Sequence, residues 1–177
     1  MTNQILNRIT GKTYCLDLGC GPRPQNLFSA DMVYGIDLTS SSEYVIACDL
    51  AVENIPFNDE SFEYVTAVDF LEHLPRLIYT PERRLPFVEL MSEVFRVLRP
   101  GGMFFSFTPS YPNLAAFSDP THVNFITDET FTHMFDRKRG WASKYGFRGG
   151  FEIISQEWQH PHLRTLMRKP EDESSSP

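Results

Sequence analysis

The sequence lacks any long hydrophobic run. No apolar stretch reaches the roughly 18 residues that a membrane-spanning helix needs, and Met1 to Arg8 carry no apolar core of a secretory signal. A membrane partner is not expected, and the cytoplasm is the expected compartment. Cysteine is scarce. Cys15, Cys20 and Cys48 are odd in number and form no CxxC pair, so neither a disulfide framework nor a structural zinc site is expected. Basic charge is scarce too: 16 lysines and arginines stand against 23 acidic residues, for a formal net charge of -7. The only short basic clusters are Arg83-Arg84 and Arg137-Lys138-Arg139. A free-standing nucleic-acid binder presents a basic face, and these clusters are too small to make one. Internal repeats and linkers are also missing.

What is present suits one globular domain. The chain has 177 residues, 41% hydrophobic and 22% charged, which is enough to bury a core without staples. The expected domain covers residues 1–170, followed over 171–177 by an acidic, serine-rich tail expected to be disordered. Five apolar runs read as strands: Tyr14–Leu18, Met32–Ile36, Tyr44–Ala47, Phe62–Val68 and Met103–Phe107. Two more, Phe151–Trp158 and Leu163–Met167, flank Pro161 and read as a hairpin. Phe87, Leu90, Met91, Val94, Phe95 and Leu98 recur on one helical face, with Pro86 in the first turn and Arg99-Pro100-Gly101-Gly102 as the stop. Thr127-Asp128-Glu129 reads as a second helix start, running to about Phe135. Strands alternating with helices imply an α/β fold with a mostly parallel sheet covered on both faces, and the hairpin adds an antiparallel edge. Ligands of such sheets bind beyond the carboxyl ends of the strands.

The most informative stretch is Asp17-Leu18-Gly19-Cys20-Gly21, directly after the first strand. Two glycines there allow a tight turn and close approach of backbone to a ligand. Asp37, at the end of the second strand, stands where a carboxylate accepts hydrogen bonds from ribose hydroxyls. A dinucleotide site wants a third glycine where this chain has Pro24, and wants free N–H groups for a pyrophosphate. Pro22 and Pro24 each remove one. A phosphate-free, cationic cofactor suits an acidic loop better.

These residues resemble the class I S-adenosylmethionine-dependent methyltransferases, and most closely the branch called methyltransferase type 11. Leu16–Gly21 is similar to the family's first motif and Tyr34–Leu38 to its ribose-binding motif. Cys48-Asp49-Leu50 is similar to the adenine-contacting turn, Ile55–Val65 to the lead into the fourth strand, Glu72-His73-Leu74 to the EHL after it, and Val97–Gly102 to the turn into the fifth strand. The resemblance implies a Rossmann-like three-layer sandwich on a seven-stranded sheet, with S-adenosylmethionine as cofactor. It implies that Asp17, Gly19 and Gly21 cradle the methionine part and Asp37 takes the ribose. Asp49 would accept from the adenine amino group, with Leu38 and Leu50 flanking the ring. Val68-Asp69-Phe70 would line the methionine side, with His73 near the methyl group. The chain departs from the family between Gly21 and Asp37, where the first helix is expected to be little more than Gln25 to Ala30. The family's N-terminal helix is expected to be reduced, and no long insertion supplies a lid.

Methyl transfer needs mainly an aligned acceptor, and a base only where the acceptor loses a proton. His73 and His122 are the candidate bases, the latter in Asp119-Pro120-Thr121-His122-Val123-Asn124 of the long loop after the fifth strand, a loop that also brings Tyr111 and Phe117 near the rim. Local hydrogen bonds that tie the loop down are the competing role for Asp119 and His122. Asp119 and His122 are too few for a metal, and no metal is expected. His133, His160 and His162 are expected to be structural. The loop resembles methyltransferases found beside sugar-modifying enzymes, so a saccharide or other small-molecule acceptor is expected. The alternatives are a non-catalytic module with a degenerate methyltransferase fold and a nicotinamide-dependent dehydrogenase. A homodimer could supply the lid.

Overall fold

Seven short apolar segments pair into one sheet in a computed structural model of the chain, which describes residues 8–40 and 42–171. The strands are β1 (Tyr14–Leu18), β2 (Met32–Asp37), β3 (Val45–Ala47), β4 (Phe62–Val68), β5 (Leu98–Pro109), β6 (Glu152–Gln159) and β7 (His162–Arg168). Their spatial order is β3-β2-β1-β4-β5-β7-β6. β1 to β5 run parallel, and β7 enters antiparallel between β5 and β6. This is the seven-stranded, mostly parallel sheet with a closing antiparallel hairpin that the sequence implies. The tail expected over 171–177 falls outside the described residues except for Glu171.

The long helix α1 (Pro86–Val97) starts on a proline, whose missing N–H costs nothing in a first turn. Its apolar face buries Phe87, Leu90, Met91, Val94 and Val97, each worth roughly 1.5–3 kcal/mol of transfer free energy. Strand β5 begins directly at Leu98, earlier than Met103. Phe62 pairs with Leu98 but Tyr64 with Met103, so Arg99–Gly102 forms an irregular first segment of the strand rather than a separate turn. Two short helices follow, α2 (Ala115–Ser118) and α3 (Asp128–Met134). Thr127 and Thr130 bond each other's backbone and side chain at the start of α3, which satisfies donors a helix leaves unpaired.

The two faces of the sheet are clothed unequally. From Met103 onward β5 alternates, with Phe104, Ser106 and Thr108 buried and Met103, Phe105 and Phe107 half-buried. The buried side meets α1 and α3 through a chain of rings, Phe104–Phe151–Phe95 and Phe87–Phe135–Phe147, edge-on except the tilted Phe104–Phe151 pair. On the other side the expected helix over Gln25–Ala30 is absent, and that stretch is a turn-rich loop. The reason is local. Pro22 and Pro24 donate no N–H, the Gln25 N–H goes to Asp17, and the Asn26 side chain bonds both N–H and C=O of Ala30. Instead of a helix, the loop lays Phe28 flat on Tyr64 of β4 at 4.4 Å and edge-on to Phe105 of β5.

Candidate active site

Strands β1, β2 and β4 end at one edge of the sheet, and each end carries an acid. The glycine loop after β1 holds Gly19 at φ +64 and Gly21 at φ +61, backbone that side chains rarely adopt. A Cβ on Gly19 would lie 2.4 Å from the Phe70 ring, whereas one on Gly21 would meet nothing within 4 Å. The loop is therefore packed at its first glycine and open at its second. Asp37 anchors it: Oδ2 accepts from the Gly21 N–H and Oδ1 from the Leu38 N–H, both at 2.8 Å. Asp17 is 1% exposed. Its Oδ2 accepts from the Gln25 N–H at 2.8 Å and its Oδ1 from the Thr66 hydroxyl at 2.6 Å. Burial raises its pKa above the usual carboxylate value, and the two hydrogen bonds oppose that. Asp17 thus faces inward as a fastener of the loop.

Asp49 is exposed after β3, whereas of the two residues expected around a ring Leu38 is 71% exposed and Leu50 is buried in the core at 6%. Asp69 follows β4 at φ +48, a strained position for a residue with a side chain. Its Oδ1 lies 2.8 Å from His162 Nε2, and the His162 ring stacks on Phe107 at 4.2 Å. His162 is a site residue that sequence reading assigns to structure. The antiparallel register sets it opposite Pro109, at the same edge as the carboxyl end of β4. The signal was available only in the direction of β7.

A second group gathers around the single 3-10 turn Leu71–His73. The loop after β5 folds back on it: the N–H groups of Val123 and Asn124 both donate to Glu72 O, and Asn124 Nδ2 donates to Leu71 O. This fastening sets the His122 ring 4.8 Å from the His73 ring, edge to face. Thr121 Oγ1 lies 3.0 Å from His73 Nδ1 and donates to Asp119 Oδ1 at 2.6 Å. Glu72 is 1% exposed; its Oε2 accepts from the Thr108 hydroxyl at 2.7 Å, and burial pushes its carboxyl pKa up. Glu72 Oε1 and His122 Nδ1 are buried without a hydrogen-bond partner among the described residues. The two histidines expected to handle the acceptor are therefore together. The same loop exposes Tyr111, Leu114, Phe117, Val123 and Phe125, with the Phe117 and Phe125 rings 4.8 Å apart.

A recess of about 690 Å³ lies elsewhere, between α1 and the 146–150 segment at the opposite edge of the sheet. Its Arg96 is committed to Glu93, Asp59 and the carbonyls of Ile55 and Phe57. The strained backbone at Asp69 and the orphaned atoms of Glu72 and His122 lie at the carboxyl edge, where ligands of such sheets bind.

Residues 16–106, from β1 into β5, match the type 11 family of methyltransferase domains. The chain belongs to that family. It is 31% identical over 108 residues to squalene methyltransferase 1 of Botryococcus braunii, covering 57% of this chain and 25% of that one. It is 33% identical over 91 residues to a demethylmenaquinone methyltransferase of Staphylococcus epidermidis, covering 51% and 34%. The chain thus spans between a quarter and a third of the length of these curated relatives. Its fold is similar to that of an S-adenosylmethionine-dependent methyltransferase from Mesorhizobium loti, with a TM-score of 0.61, 17% identity, and 90% of this chain and 92% of that one covered. The methyltransferase domain's cofactor, S-adenosylmethionine, fits the residues present. Carboxylates at the ends of β2, β3 and β4 suit a cation without phosphate, and the backbone at Gly21 is open to a ligand.

Proposed function

We propose that the chain binds S-adenosylmethionine across the ends of β1, β2 and β3 and transfers its methyl group to a small lipophilic acceptor. When bound, the cofactor supplies a methyl group activated by a positive sulfonium. The protein's part is to hold and align: Asp37 at the ribose, Asp49 at the adenine, Gly19, Gly21 and Phe70 at the methionine end. Alignment of this kind contributes up to about 7–11 kcal/mol. With cofactor and acceptor aligned here, the acceptor's lone or π pair would take the methyl carbon while the electrons of the broken carbon–sulfur bond stay on sulfur. Where the acceptor loses a proton, His73 and His122 are the bases at this edge.

The acceptor class rests on the exposed aromatic patch Tyr111, Phe117 and Phe125, carried on the loop that also carries His122. An apolar rim beside the site suits an apolar guest. The names of the relatives, which include squalene and demethylmenaquinone, support it over the saccharide read from the loop. Calorimetric titration with S-adenosylmethionine, S-adenosylhomocysteine and NAD tests the cofactor. Micromolar binding of the two sulfur compounds and none of NAD is the expected outcome. Incubation with labelled cofactor and a panel of isoprenoid, quinone and saccharide acceptors tests the rest; label in the saccharides alone would overturn the acceptor class.

One observation favours a second reading, a non-catalytic module: the Phe70 ring lies against Gly19, where the methionine end would sit. Absence of binding by either sulfur compound would decide for it.

A further inference from the structure

Glu72, His73 and His122 each offer one ligand atom, and the three atoms lie within 4.8 Å of one another. Two features show that these side chains are set toward something other than each other. Glu72 is 1% exposed, and its Oε1 has no partner among the described residues, while Oε2 is held by Thr108. His122 Nδ1 is also buried and unpartnered. Buried polar atoms in native structures are almost always satisfied, and two orphans in one cluster point to a bound water or ion.

The hydrogen bonds around the cluster fix which atoms carry lone pairs. Thr121 has one hydroxyl proton, and it goes to Asp119 Oδ1 at 2.6 Å. Thr121 Oγ1 must then accept from His73 Nδ1–H across 3.0 Å. In the neutral ring that tautomer puts the lone pair on His73 Nε2. A carboxylate acting through a hydroxyl to orient a histidine is the outer-shell arrangement that metal-ligating histidines have. Asp119 Oδ2 also stands 3.9 Å from His122 Nε2, so its charge favours an N–H there and a lone pair on Nδ1. The result is one carboxylate oxygen and two imidazole nitrogens, all with lone pairs available, anchored by the backbone bonds that pin Val123 and Asn124 to Glu72.

We propose that Glu72, His73 and His122 bind one divalent cation of the zinc class at the carboxyl edge of β4. Two imidazoles and one carboxylate suit zinc and its first-row neighbours rather than calcium or magnesium, which take oxygen. A tetrahedral ion places ligand atoms about 3.4 Å apart, given bonds of about 2.0–2.1 Å, so small side-chain shifts from the present spacing of within 4.8 Å close the set. Three protein ligands leave a fourth position open to water or to an acceptor oxygen, as in catalytic rather than structural sites. The cation binding stands independently of the methyl-transfer reading. Use of the ion as a Lewis acid on an acceptor oxygen rests on it, and would relieve the histidines of acting as bases.

The test uses the full chain, stripped with a chelator and titrated with Zn2+ by calorimetry and with Co2+ by visible absorption. The expected result is one ion per chain and a four- or five-coordinate cobalt spectrum. His122→Ala and Glu72→Gln are expected to weaken binding at least 100-fold, and Thr121→Val, through positioning of His73, by about 10–100-fold. His133→Ala and His160→Ala should leave it unchanged. His73→Ala, at an exposed position, gives the reading even if loss of the buried Glu72 carboxylate unfolds the chain. No stoichiometric binding to the wild-type chain would overturn the proposal, as would binding that survives His73→Ala and His122→Ala or is lost with His133→Ala. Cofactor calorimetry on the stripped chain is unaffected by that failure, so the two readings fail separately.

Discussion

At the scale of the residue, Gly19 and Asp17 hold the glycine loop after β1 by opposite means. Gly19 is needed for what it lacks. An added methyl would meet the Phe70 ring at 2.4 Å on backbone at φ +64, so Gly19→Ala combines an overpacking cost of about 1–3 kcal/mol with a backbone cost of about 1–2 kcal/mol. A thermal melt should show the loss. Adding Phe70→Ala should recover the steric part but leave the backbone part, giving a coupling of about 1–3 kcal/mol in a double-mutant cycle. Purely additive losses would mean that Phe70 does not rest on Gly19. Asp17 is needed for its two accepted hydrogen bonds, yet burial raises its pKa. Between the unfolded value of about 3.9 and the raised folded one, the folded chain holds a proton that the unfolded chain has released. Stability from this group is therefore full below that unfolded value and lost as pH rises through the folded one. Asp17→Asn removes this slope. Its stability deficit against wild type should be largest near pH 4 and narrow toward neutrality, as followed by denaturant melts across pH.

At the scale of the element, what the sequence announces is what local chemistry controls. β1 and β4 have the bounds their apolar runs give, because Gly19 and Asp69 stop them with backbone at positive φ. α1 is legible from its apolar spacing and Pro86, and α3 from Thr127. Thr127→Ala should cost about 1 kcal/mol through the lost cap, lowering the melting temperature by about 2–4 °C; no change would mean that Phe131 and Phe135 alone hold α3. The helix expected over Gln25–Ala30 fails because side chains take the groups a helix would use, and Asn26 and Asp17 bond backbone that would otherwise pair along the chain. The site is legible to the same limit. Gly21 and Asp37 sit in separate contiguous motifs, and the parallel pairing of β1 and β2 brings them into one hydrogen bond. His162 at Asp69 and Glu72 between the histidines depend on strand direction and on where a distant loop docks, and no local pattern carries either.

At the scale of the whole molecule, the family match and the chemistry divide between different stretches of the chain. Residues 16–106 carry the match and the acidic edge, while His122, His162 and the Tyr111–Phe117–Phe125 patch come after it. Cofactor binding is thus the property most directly tied to the family, and acceptor choice the property most specific to this chain. The half of the sheet that would take the cofactor is also the half clothed by a loop rather than a helix, on the side where Phe28 stacks on Tyr64. Ligand binding should therefore order loops more than core. At 100 times its Kd the cofactor contributes about 2.7 kcal/mol of stability, a rise in melting temperature of about 5–10 °C for a chain of this size. Hydrogen exchange should place the added protection at residues 19–25, 37–38 and 49–53 and leave α1 unchanged. Asp37→Ala loses the bond to Gly21 and the carboxylate proposed for the ribose, so it should abolish the thermal shift, while His122→Ala should keep it and impair turnover. A full shift in Asp37→Ala would move the cofactor away from β2, and protection confined to α1 would move it to the recess at the opposite edge.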